Sequence, residues 1–85
     1  MFRNRDLSVI AYANGFTLWH FYAKDDTFEE VSAKDYFKEV AALCNNGDKI
    51  LVSSSTWYAE LIVSKITLAP YGVEAKLLNK VVYDG

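Results

Sequence analysis

The chain has 85 residues, nine Lys and Arg against eleven Asp and Glu, a net charge of −2, and a composition that is 52% hydrophobic and 15% aromatic. This length makes one domain, residues 1–85, with an expected stability of about 4–13 kcal/mol and little room for a large active-site cleft. The charge balance weighs against nucleic acid as a partner, because the seven Lys are scattered singly and phosphate neutralisation needs clustered positive charge.

Arg3 and Arg5 precede an apolar stretch at 7–13, the outline of a leader peptide. Cleavage after Ala13 would release fewer residues than the roughly 15–30 such leaders have, so none is expected. Asp6 can cap a short helix with Leu7, Ile10 and Ala11 on one face and Asn14-Gly15 as its stop. The β-branched pair Val9-Ile10 supports a strand as the alternative. Ser8, Asn14, Gly15, Thr17 and His20 interrupt the uncharged run from Leu7 to Ala23, so no membrane span is expected.

Phe16 to Ala23 has the Thr, Trp, Phe and Tyr content of a strand, with aromatic residues on both faces. Lys24-Asp25-Asp26-Thr27 reads as a tight turn, and Thr27 to Val31 as a short return strand with Phe28 pointing inward. Ser32, with Asp35 three residues on, then opens a helix over 33–44. Tyr36, Phe37, Val40, Ala41, Leu43 and Cys44 form its apolar stripe, and Asn45-Asn46-Gly47 closes it. Lys49 to Ser54 is a strand. Trp57 to Leu68 and Val73 to Tyr83 form a long hairpin around Ala69-Pro70-Tyr71-Gly72, with Pro70 at the second position of a type I turn. On the return arm Val73, Ala75, Leu77, Val81 and Tyr83 share a face, while Glu74, Lys76 and Lys80 point to water.

The expected fold class is therefore mainly β (α+β). It is a small bent antiparallel sheet or partly open barrel of about five strands, with the helix 33–44 and a short amino-terminal helix. Long open hairpin edges and an excess of rings over what a small core needs point to self-association. Trp19, Phe21, Trp57 and Tyr58 are the candidate interface residues.

The chemistry-bearing residues are few. One cysteine cannot form an internal disulfide, which makes a reducing compartment such as the cytoplasm the default, and Cys44 reads as a buried apolar residue. His20 has no adjacent carboxylate to orient it as a base. Ser53-Ser54-Ser55-Thr56 reads as a solvated turn, and Asp25-Asp26 with Glu29-Glu30 as solubilising charge without the glycine and spacing of a calcium loop. The aromatic set could stack single-stranded bases, but without interleaved Arg and Lys it is a poor binding surface. No catalytic, cofactor-binding or metal-ligating residue is expected, and no cofactor.

Several pieces of the chain share a likeness: Asp6-Leu7-Ser8-Val9-Ile10-Ala11, Asn14-Gly15-Phe16-Thr17-Leu18-Trp19-His20-Phe21, Asp35-Tyr36-Phe37, and Asn46-Gly47-Asp48-Lys49-Ile50-Leu51-Val52. Together they resemble a family of short uncharacterised proteins encoded among the structural genes of tailed phages and prophages. The resemblance covers roughly residues 6–52 and assigns no functional residue. It implies a non-enzymatic, virion-associated or head-proximal structural protein, a homo-oligomer contacting a capsid or other virion protein. Its expected location is the cytoplasm of the infected host, with the virion left open. The alternative is a small barrel module that binds nucleic acid or a host protein.

Overall fold

The computed structural model describes residues 2–24 and 26–83. The fold is mainly β. Five strands, β1 (Leu7–Ala13), β2 (Phe16–Lys24), β3 (Lys49–Ser54), β4 (Trp57–Leu68) and β5 (Tyr71–Val82), form one open sheet in sequence order. Every neighbouring pair is antiparallel except β2 and β3, which run parallel, so the sheet is mixed rather than wholly antiparallel. A parallel pair cannot be joined by a tight turn. The connection between Lys24 and Lys49 accordingly crosses one face of the sheet and supplies Val31, Phe37, Val40, Ala41 and Cys44 to the core.

The amino-terminal segment is a strand, not a helix. Asn14-Gly15 forms the two-residue turn of a hairpin in which Ala13 faces Phe16, and Gly15 provides the positive φ of 98° that the turn requires. One extra residue in β1 makes a bulge at Ile10, and the misleading helical spacing of Leu7, Ile10 and Ala11 follows from that insertion.

The crossover also departs from the expected order. Thr27 to Val31 is not a strand: Thr27 caps a one-turn helix, α1 (Phe28–Val31), through a full capping box with Glu30. Ser32 ends this helix instead of starting one. The expected helix over 33–44 is replaced by turns around a 3-10 turn at Lys38–Val40. The break is at Asp35, which takes a positive φ of 66° and is held there by bonds to Val73 on β5. A continuous helix cannot pass through that conformation. The apolar stripe still reaches the core, because Phe37, Val40, Ala41 and Cys44 are buried while Leu43 is exposed.

Phe2 stacks on Phe21 with ring centroids 5.1 Å apart, and Phe37 meets Phe21 edge-on at 5.4 Å. Around them pack Trp19, Ile50, Val52, Ala59, Leu61 and Val63 from the crossover-facing side of the sheet. On the other side Leu18, His20, Leu51, Glu60 and Ile62 are half-buried, and no element among the described residues is layered over them.

The core is closed by Asp48, whose side chain is fully buried. Its Oδ1 accepts from the Thr17 backbone N–H at 2.8 Å, and its Oδ2 from Trp19 Nε1 at 3.0 Å and the Asn45 N–H at 2.9 Å. Its backbone carbonyl accepts from the Val63 N–H at 2.8 Å. One residue thus ties β2, the turn before β3, and β4. Replacing Asp48 with Ala leaves three donors without their acceptor, and the expected loss is about 3–5 kcal/mol. Asp48→Asn, which keeps one acceptor oxygen, should lose less, and urea unfolding of both variants measures the order.

Candidate functional site: two open sheet edges

Of the four residues expected at an interface, three lie in the interior of the single chain. Trp19 donates to Asp48, Phe21 is fully buried within the aromatic cluster, and Trp57 donates from Nε1 to the Asp26 carbonyl while meeting Phe28 edge-on. These rings are not available to a partner or to nucleic-acid bases in this fold. Tyr58 is half-buried on the uncovered face and donates to Glu60 at 3.1 Å.

The reactive side chains are similarly engaged. His20 Nε2 lies 3.0 Å from Ser53 Oγ on the neighbouring strand. Ser54 and Ser55 hydroxyls both donate to the Lys24 carbonyl, so they pin the β2 and β3 ends together rather than forming a free hydroxyl loop. Burial, with the charge of Asp48 adding to it, pushes the Cys44 thiol from 9.0 up to about 11. Burial and donation to the Asp26 carboxylate raise the Tyr36 phenol as well. Asp25 lies outside the described residues. Among those described, no group of three or more His, Cys, Asp or Glu is arranged to hold a metal ion. A cleft of about 420 Å³ lies between α1 and the β3–β4 turn, and Lys80 sits over the Phe28 ring on its wall at 4.1 Å.

What the surface offers is exposed apolar residues on strand edges. Among the described residues, eight of the thirteen large exposed hydrophobics fall on the two outer strands: Val9, Ile10 and Tyr12 on β1, and Tyr71, Leu77, Leu78, Val81 and Val82 on β5. Tyr12 is the most open, at 80%. A bulge at Leu78 shifts the register of β5, so Val81 lies on the uncovered face while Lys80 and Val82 turn to the covered one. The expected single apolar face from Val73 to Tyr83, with Lys80 pointing away from it, is therefore divided in two.

The edges differ in kind. β1 is Leu-Ser-Val-Ile-Ala-Tyr-Ala, without charge. β5 carries Glu74, Lys76 and Lys80, and its backbone is engaged at one end: Asp35 N–H donates to the Val73 carbonyl at 3.1 Å, and Asp35 Oδ1 accepts from the Val73 N–H at 3.0 Å. Charged residues and covered backbone groups are means by which proteins discourage strand addition, and they separate the two edges; a bulge interrupts both, at Ile10 and at Leu78, and does not. The same end starts at a hairpin turn in which Leu68 faces Tyr71, so Pro70 occupies the third turn position rather than the second; the Ala69-Pro70 bond is cis. The sequence signal for the β1 edge is the Asn-Gly pair between two apolar runs, a strong hairpin mark that serves equally as a helix stop.

Comparison of the chain with protein-family models, with curated proteins and with solved structures returned no match. No helix among the described residues is long and apolar enough to cross a membrane.

Two tests follow from this geometry. A Cβ added at Gly72 would lie 2.7 Å from Asp35 Oδ1, so Gly72→Ala should displace that carboxylate and cost about 1 kcal/mol, yet cost little in an Asp35→Gly background. Chemical denaturation of the four proteins in that cycle checks the coupling. The raised Cys44 pKa means the folded state holds a proton that the unfolded state releases, so its stabilising contribution is present below pH 9 and lost as pH rises through 11. Cys44→Ala should flatten that alkaline decline in urea midpoint, and the folded wild-type thiol should resist Ellman's reagent at neutral pH.

Proposed function

We propose that this protein is a non-enzymatic structural protein of a tailed-phage particle, virion-associated or head-proximal, that works by oligomerising and by docking on a capsid or other virion protein. The observation that carries the oligomer reading is the concentration of exposed apolar side chains on two outer strands whose edges face no further strand. Strand edges recognise other strands through the backbone, and flanking apolar side chains add affinity. The engagement of His20, Cys44, Ser54 and Ser55 in internal contacts supports a role that is not catalytic. The phage setting, with synthesis in the infected host's cytoplasm, rests on the likeness of residues 6–52 alone.

The reading is checked by the mass of the full chain in solution over a wide concentration range. The expected result is a species heavier than the 9.6 kDa monomer that dissociates on dilution. A monomer persisting to millimolar concentration would overturn it. So would affinity for DNA or RNA that falls steeply with added salt, which is the behaviour of a nucleic-acid module.

A further inference from the structure

The geometry points to β1 as the self-association edge, with a second copy of the chain adding its own β1 antiparallel to form one continuous ten-stranded sheet. This assignment rests on the oligomer reading above and specifies which edge and which register it uses. β5 is the guarded edge, with Asp35 on the Val73 backbone and lysines along the strand. β1 carries no charged residue, so an antiparallel copy of it brings no like charges opposite one another. It also presents Val9, Ile10 and Tyr12 at 37%, 51% and 80% exposure, which a strand laid alongside would cover.

The register follows from the faces. Residues opposite one another in an antiparallel pair lie on the same side of the sheet. Leu7, Val9 and Tyr12 face Phe21, Trp19 and Thr17, all on the covered side, whereas Ser8, Ala11 and Ala13 face His20, Leu18 and Phe16 on the uncovered side. Across a two-fold axis normal to the sheet, covered side must meet covered side. The register that satisfies this and engages the whole strand sets Val9 opposite Tyr12 of the second copy, Ser8 opposite Ala13, and Leu7 opposite Asn14. The bulged Ile10 and Ala11 then lie at the axis, and each Tyr12 ring packs on a Val9 that is open in the monomer.

Cross-linking of the full chain in a Cys44→Ala background tests this directly. Opposed Cα atoms in an antiparallel pair are about 4.5–5.5 Å apart, within disulfide range, whereas Val9 and its own symmetry mate are about 10 Å apart along the strand. Val9→Cys mixed with Tyr12→Cys should form disulfide-linked dimers under mild oxidation, and each variant alone should form few. Equal cross-linking of each variant alone would overturn the register. Ile10→Lys and Tyr12→Lys, with strand content confirmed by circular dichroism, should raise the dissociation constant by about tenfold or more, and Leu78→Lys on β5 should leave it unchanged. If Leu78→Lys dissociates the oligomer while the β1 variants do not, the β1 assignment fails and the oligomer reading stands. A wild-type chain monomeric at every concentration ends both.

Discussion

A single aspartate with no solvent exposure joins the start of β2, the end of the crossover and β4 at one point. Asp48 satisfies a backbone donor at the start of β2, the indole of Trp19 and the end of the crossover, while its own peptide carbonyl bonds to β4. A buried acceptor of this kind is favourable only when its lone pairs are filled, and leaving any of its donors without it is expensive. The parallel joint between β2 and β3, the covering of one sheet face by residues 26–48 and the burial of Trp19 all lean on this residue. Gly47, at a φ of 92°, gives the chain the sharp entry that aims Asp48 inward.

Where local signals and tertiary demands agree, the fold is legible from residues alone. Lys49–Ser54 and Trp57–Leu68 are strands with the expected bounds, and the mainly β, five-strand architecture is the one their composition implies. The misreadings occur where a distant partner decides. Asp35 looks like the third residue of a capping box, but its conformation is set by Val73, thirty-eight residues away, and no local pattern encodes that bond. The genuine capping box, Thr27 to Glu30, was present in the sequence yet hidden behind the β-like pair Thr27-Phe28. Insertions are the other blind spot: Ile10 in β1 and Leu78 in β5 each shift a period of two, so that one apolar run mimics a helix and another changes sides.

The candidate site was legible in kind and not in place. Abundant rings and long strand edges are visible in the sequence, but composition does not tell interface rings from core rings, and the small core takes Trp19, Phe21 and Trp57. Burial of a ring depends on its register against the crossover, which a single strand's alternation cannot reveal. Tyr12 is the converse case, an aromatic residue at a hairpin end that the core never reaches. The division between a guarded β5 and a bare β1 emerges only once Asp35 is seen against Val73.

The parallel pairing at the centre of the sheet has a consequence for how the chain reaches its native state. β1 with β2, and β4 with β5, are sequence-local hairpins that can close on the microsecond scale. Joining β2 to β3 instead requires the ends of a twenty-four-residue excursion to meet, at an entropic cost of about 3 kcal/mol before any contact rewards it. Loop closure therefore favours two early ribbons and a late seam, an order in which the edge of β2 that later receives β3 stays as open to a stranger as either rim of the finished sheet until that seam closes.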